Sequence, residues 1–597
     1  MFLRVNKRVK DGKEHRYWSV EESRRLRSGR VVQRRVLYLG EINDSQQAAW
    51  RKTLEVFDEA EQRARTLSLF PEDREVPADA RDGIQVKLEE MELRRPRGFG
   101  NYWLGCELWQ QLGLSEFWTE RLGEGREEVP WAKVLELLVV SRLVAPGSEF
   151  RLHRQGFDQS AMGDLLGTGF ALAEKDRLYR CLDRILEHKA ALFDHLQQRW
   201  QDLFQARFDV LLYDLTSTYI EGEGEEIPKA KHGYSRDHRF DCRQVVIALV
   251  VTPEGFPLAY EVMEGNTSDR TTLRGFLDKI EAQYGRAQRV WVMDRGIPTE
   301  EVLEEMRDPE RQVYYLVGTP RGKIQQYEKK WLELPWRKVR ESVEVKLLAE
   351  EGELYVLAKS EGRRAKEQAI RRRKLVGLLK TLRKLRHSCP ARDQLLLRVG
   401  AAKKEAGRAF GFVRLRLPEE GQAVTRQTFT FRLDREKLRK AELRDGHYLL
   451  RSNLVGEDPA VLWERYIQLT QIEAVFKTLK SELGLRPIYH QVEKRVEAHI
   501  FVAFLAYALS VTLRQRLMAL APGLTPRAVL EKLPPIQMLD VCFPTADGRW
   551  LIMPRYTQPE PEQMLLLHQL HLHLPPQPPP RIKAPEQDSA ATLELKM

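Results

Sequence analysis

The chain is poor in cysteine. Five stand in 597 residues, at positions 106, 181, 242, 389 and 542. None belongs to a C-x-x-C pair, so neither a zinc ribbon nor a disulfide framework is indicated. Thiols so few and scattered fit a reducing cytosol. Long apolar runs are lacking too. The longest, IFVAFLAYALSVTL from Ile500, has 14 residues, short of the ~20 that cross a bilayer. It reads as a buried core helix, and no membrane partner is expected. The N-terminal MFLRVNKRVKDGKEHRYW is basic without an apolar stretch, unlike a secretory signal. No internal repeat is visible.

What is present is charge of both signs with a basic excess. Lysine and arginine number 98 against 87 acids, a net +11, with a pI near 9.2. That balance suits a polyanion, nucleic acid first; a plain basic surface is the weaker alternative. Hydrophobic residues at 42% supply real cores, and the length calls for several domains at roughly 100–200 residues each.

Along the chain the pattern changes several times. Residues 1–90 alternate as short strands with basic turns and then read as a charged helix. Residues 91–205 turn helical, with Arg142, Arg151, Arg154, Arg177 and Arg180 among them; the region is open to docking DNA or to plain support. Residues 206–319 run strand, strand, strand, helix, strand, helix, strand, a mixed α/β sheet. Residues 320–455 interrupt it as a β-rich insertion with one very basic helix, RRAKEQAIRRRKLVGLLKTLRKLRH. Its face is open to DNA contact or to solvation. Two long helices return over 456–520, a short segment covers 521–569, and the proline-rich 570–597 is expected to be disordered.

Two strands carry the chemistry. LLYD ends at Asp214 and VWVMD at Asp294. Each aspartate alone is explained as a turn or cap residue. Together, in neighbouring strands, they repel unless a cation lies between them, and hard carboxylate oxygens suit Mg²⁺. A third acid is expected from ERYIQLTQIEAVFKTLKSELGLRP, where Tyr466, Glu473 and Lys480 stand seven apart on one helical stripe. Glu473 with Lys477 is also an ordinary i,i+4 surface pair. His232, His238, Asp241 and Cys242 fit no zinc spacing and read as a polar loop before the hairpin that touches DNA or orders the site; Asp269 is open to being a fourth acid, but Ser268 or Asp269 reads better as a helix N-cap.

These residues resemble a family. DLTSTYIE, GYSRDHRFDCRQVVIALVVTPEGFPLAYEVMEGNTSD, VMDRG, and the Y-x6-E-x6-K spacing are similar, in that order, to DDE transposases of bacterial insertion sequences. The group is insertion-sequence-four, with its Y-x2-R-x3-E-x6-K signature. The arginine slot holds Leu469; Arg465 and Arg495 are the arginines weighed for that charge, and the role is carried over to neither. The resemblance implies an RNase H-like core carrying Asp214, Asp294 and Glu473 as catalytic and metal-holding acids. Two Mg²⁺ or Mn²⁺ ions would be held, and Tyr466, Lys480 and Arg295 would position DNA. It implies hydrolysis at the element's ends and transfer of the freed 3′-hydroxyl to target DNA. Partners are then double-stranded DNA, as terminal repeats and target, and a second copy in a synaptic homodimer. A cytoplasmic, nucleoid-associated location follows. A non-catalytic DNA-binding derivative and a host nuclease with the same core are the alternatives.

Overall fold

The computed structural model describes residues 2–10, 13–25, 31–42, 86–123, 129–285, 288–294, 296–308, 313–319, 334–340, 343–350 and 352–583. The charged helix expected before residue 90 lies almost wholly outside them, and Arg295 does too. The chain forms two units, one of Met1–Lys7, Arg16–Thr272 and Thr470–Met597, the other of Arg8–His15 and Leu273–Leu469.

The first unit opens on a three-stranded sheet of β1 (Phe2–Lys10), β2 (Lys13–Arg25) and β3 (Val31–Glu41). After β4 (Glu92–Gly98) come helices α1 (Gly100–Gln111), α2 (Leu114–Leu122), α3 (Trp131–Val144), α4 (Lys175–Ile185) and α5 (Lys189–Phe204). In α3, WAKVLELLVVSRLV, 12 of 14 residues are buried; a helix apolar on nearly every side has to be internal. Then β5 (Val210–Tyr219), β6 (Gln244–Val251) and β7 (Pro257–Glu264) pair antiparallel in sequence order. All eight residues of β6, QVVIALVV, are buried. That run of β-branched and apolar side chains belongs to a strand covered on both faces.

The second unit is a mixed sheet with helices. It begins with α6 (Leu273–Tyr284), β8 (Arg289–Met293), α7 (Glu300–Met306) and β9 (Val313–Thr319). β8 and β9 are parallel, joined through α7, as parallel neighbours require a crossover. The expected order of elements over 206–319 is the observed one. Beyond β9 the insertion differs from expectation. β10 (Arg337–Arg340), β11 (Val343–Glu350) and β12 (Glu353–Ser360) do not form a separate β subdomain. They extend the main sheet through β15 (His447–Ser452), which pairs with both β12 and β9. Between β12 and β15 the chain is mostly helical: α8 (Glu361–Ser388), α9 (Arg392–Ala406) and α10 (Arg435–Leu443), with a short ladder of β13 (Val413–Arg416) and β14 (Thr430–Leu433). Charged, unbranched residues dominate this stretch and favour helix.

α11 (Pro459–Ile467) and α12 (Leu469–Lys477) follow, then a π turn over Thr478–Glu482. Back in the first unit, α13 (Glu493–Leu520) buries 18 of its 28 residues and packs on α3 and α4. By length and composition it passes for a membrane span, yet 94% of its apolar window is buried inside the protein. β16 (Gln537–Pro544) and β17 (Trp550–Tyr556) close a four-stranded sheet with β4 and β18 (Arg581–Lys583). The described part of the proline-rich stretch, up to Lys583 (residues 584–597 lie outside the described residues), is therefore ordered, contrary to expectation. Its carbonyls explain this: Arg555 donates to Pro578 O at 2.6 Å, Tyr556 donates to Pro575 O, and Gln577 brackets the Tyr556 backbone.

Candidate active site

β5 carries Asp214 in the middle of VLLYDLTSTY. Its neighbours Tyr213 and Leu215 are fully buried while Asp214 is half-buried. It lies opposite Leu249 of β6, and its Oδ1 accepts from the Leu215 N–H at 2.8 Å. An antiparallel ladder fixes the backbone on which the carboxylate stands, so the side chain is presented with little freedom. Asp294 follows β8, whose five residues RVWVM are all buried, and is itself exposed; its carbonyl accepts from the Ile297 N–H at 3.3 Å. Glu473 projects from the exposed face of α12, whose other face buries Ile472, Val475 and Phe476. Among the described residues no side chain pairs with its carboxylate. Asp214 and Glu473 belong to the first unit, Asp294 and Tyr466 to the second.

The stripe of Tyr466, Glu473 and Lys480 is not one helix. Gln468 ends α11, α12 starts at Leu469, and Lys480 falls in the π turn. Seven-residue spacing keeps a common face only along an unbroken α-helix. Tyr466 packs its ring near Tyr448 and Trp463, with centroids 6.0 and 6.4 Å away. Lys480 is buried against Asp237, Nζ to Oδ1 at 2.9 Å, and Arg486 donates to the same oxygen. Burial lowers the Lys480 ammonium's pKa, and Asp237 opposes that. The two cations outnumber the one carboxylate they share. Arg465 and Arg495, the two arginines weighed for the Leu469 slot, are both engaged. Arg465 is 3.1 Å from Glu457, and Arg495 grips Asp183 with two bonds of 2.9 and 2.8 Å.

Asp237 comes from the GYSRDH block, read from sequence as a polar loop that touches DNA or orders the site; what the sequence did not show is which residues it holds. Within the first unit, the Arg236 N–H donates to Ser217 Oγ on β5 at 3.3 Å, and its Nη2 donates to both carboxylate oxygens of Asp269 at 2.9 and 2.8 Å. Asp269 is thus no helix cap, and Ser268, at the cap position of a 3₁₀ turn, makes no side-chain bond to it. The Asp269 carbonyl accepts from Thr272 Oγ1, which accepts in turn from Tyr213 O–H at 2.7 Å. The GYSRDH and EGNTSD loops also meet backbone to backbone. A Cβ on Gly233 would stand 2.2 Å from the Gly265 carbonyl oxygen, and Gln244 Nε2 donates to that same oxygen at 2.7 Å. The loops, the π turn and β5 form one polar network. The clue in sequence was an Arg-Asp pair in a polar loop ahead of a buried, almost wholly apolar strand.

The loop histidines do not gather a metal. His232 and His238 are exposed, and Cys242 lies against Arg239 and Asp241. Among the described residues one trio of metal-binding types has its ligand atoms within 4.8 Å: Glu149, His490 and His499. There a cation is already in place. Arg142 Nη2 lies 3.4 Å from both Glu149 Oε1 and His499 Nδ1, and His490 is 3.4 Å from Glu149 Oε2. Burial pushes the Glu149 carboxyl up, but His490 and Arg142 outweigh it and hold it well below the usual range. Burial also holds the His499 ring neutral, its pKa lowered to about 3. Arg142, read from sequence as an arginine open to DNA, is instead a buried counter-ion.

Comparison with known proteins bears on the family. Among solved structures, the cryo-EM structure of a piggyBac transposase synaptic complex with hairpin DNA matches 74% of this chain and 82% of its own, at 9% identity and a TM-score of 0.33. A likeness that weak carries no argument. No curated protein matches the chain. The model of the transposase DDE domain matches residues 206–509, just over half of the sequence and the span that holds Asp214, Asp294 and Glu473. The chain belongs to the DDE transposase family.

Proposed function

We propose that the protein is a metal-dependent transposase of the insertion-sequence-four type. It binds the ends of its element, hydrolyses the phosphodiester there, and transfers the free 3′-hydroxyl to target DNA. The observation that carries this is the family match over 206–509 with all three acids of the sequence motif retained inside it. The donor set fits the group it would hold. Three carboxylates, with no thiolate or imidazole among them, suit Mg²⁺ or Mn²⁺ rather than zinc. Asp214, Asp294 and Glu473 would hold two such ions; when bound, these supply the charge that activates the attacking oxygen and stabilises the leaving 3′ oxygen. The chain's own groups do the rest. β5 fixes Asp214, and the Arg236–Asp269 pair braces the loop beside it. The positive charge left over where Lys480 and Arg486 share Asp237 meets a DNA phosphate. Tyr466 and Arg295 take further positioning roles, and a homodimer brings the two ends together.

Excision of a reporter flanked by the element's own ends tests the reading. Wild type is expected to excise; Asp294→Ala and Glu473→Ala are expected to fall at least about a hundredfold, as loss of a charge-stabilising group does. Equal excision by all three proteins would overturn the assigned acids. Cleavage in vitro without joining would reduce the activity to that of a nuclease.

A further inference from the structure

The chain's basic character is not spread over its surface. Residues 361–406, the hairpin of α8 and α9, hold 15 lysines and arginines against four acids, a net of +11. The whole protein carries +11, so the other 551 residues sum to zero. Of the 15, all but Arg363, Arg371 and Arg392 are exposed. Arg363 pairs with Glu367, and Arg371 with Asp445. Among the described residues none of the twelve exposed ones has an acidic partner. A solvated, stability-driven helix face interleaves both signs to gain i,i+4 pairs. This one does not, and so accepts self-repulsion.

The hairpin has its own support. Leu375, Leu378, Leu382 and Leu385 of α8 pack with Leu395, Val399, Ala402 and Ala406 of α9 in one core. At ~100° per residue those leucines point one way, and Lys366, Arg373, Lys380 and Lys384 point the other. That row spans 18 residues, about 27 Å of helix, or about eight base-pair rises of 3.4 Å.

We infer that the α8–α9 hairpin is a sequence-independent grip on the phosphate backbone of duplex DNA, separate from the acids and from the Lys480–Arg486 pair. The partner is DNA because a family of DNA transposases meets that polyanion. The inference rests on the proposed function for its purpose, not for its test.

The test is binding of a random-sequence 30-base-pair duplex by the full chain across a salt series. The variant is Lys366→Gln, Arg373→Gln, Lys380→Gln and Lys384→Gln together. Each lost phosphate contact lowers the slope of log K against log salt by about 0.9, so the slope is expected to fall by about 3 to 4 units. Affinity at low salt is expected to drop at least about tenfold. A matched variant exchanging Lys for Arg and Arg for Lys at these four positions should keep both. An unchanged slope in a variant whose melting is unchanged would overturn the inference, leaving a solvated face or another polyanion. If the variant melts early, Cys389 decides: it is exposed and caps α8. An iron chelate tethered there in a Cys242→Ser background should cut the bound duplex, and uncut DNA would reject the grip. Binding that depends on the hairpin without any excision would sink the catalytic reading and spare this one.

Discussion

Glu136 shows what one buried residue does to the whole. It lies inside α3 at 6% exposure, and burial lifts its carboxyl to about 7, with Cys106 and Lys133 pulling the other way. A raised carboxyl favours the protonated form when folded, while the unfolded chain ionises near its ordinary 4.5. Between those values the unfolded state binds fewer protons, so stability falls as pH rises from about 4.5 to 7 and levels off above. The shift corresponds to roughly 3 kcal/mol. Glu136→Gln is expected to melt like wild type at pH 4.5 and several degrees higher at pH 8. A difference that does not grow with pH would refute that assignment. At this scale the placement of two acids was legible: an aspartate set in LLYD or VWVMD breaks an apolar run, and the strands carrying Asp214 and leading to Asp294 are there. Asp237 and Arg236 were not legible, since their partners Lys480 and Asp269 stand 243 and 33 residues away and no periodicity reports such pairs.

Elements were read well wherever the period was long and clean, as in β6 or α13. The misreadings came where local geometry decides. A break between two helices at Gln468, whose own backbone stays in the helical region, separates Tyr466 from Glu473, and nothing in ERYIQLTQIE marks it. The insertion read as β-rich because its strands are short and apolar, yet they join a sheet already begun. Gly265 is where loop and strand meet most closely. A Cβ there would fall 2.0 Å from the Gln244 carbonyl oxygen and 2.5 Å from that of Lys231. These two residues exchange backbone bonds of 3.1 and 3.0 Å, so neither oxygen can yield. Gly265→Ala is expected to cost about 3 kcal/mol, as overpacking does, and to abolish excision by displacing the GYSRDH block. Gly275→Ala, in α6 with open space around it, should instead stabilise by roughly 0.5–1 kcal/mol. A Gly265→Ala protein that melts and excises normally would show that the block does not order the site.

At the scale of the molecule the sequence suggested a string of regions, and the fold is nested. The helices of 91–205 look self-sufficient in sequence because each has its own apolar face. Their common core is supplied from beyond residue 470. α13 packs along α3 and α4, Trp200 donates to Thr512 Oγ1 at 3.0 Å, and Phe504 stacks on Tyr260 with ring centroids 4.0 Å apart. Contacts between segments 244 residues apart and, for Trp200 and Thr512, 312 apart leave no local signature, and closing so long a loop adds only modestly to the entropy opposing the fold. The 18 buried residues of α13 would leave a matching apolar trough if removed, far more exposed apolar surface than a soluble monomer carries. Residues 1–272 expressed alone should therefore be insoluble or melt without a cooperative transition. Co-expression with 470–597 should yield a soluble two-chain complex that melts as one. A cooperative melt from 1–272 alone would mean that the helical region closes its own core, and that α13 is a guest on it rather than its centre.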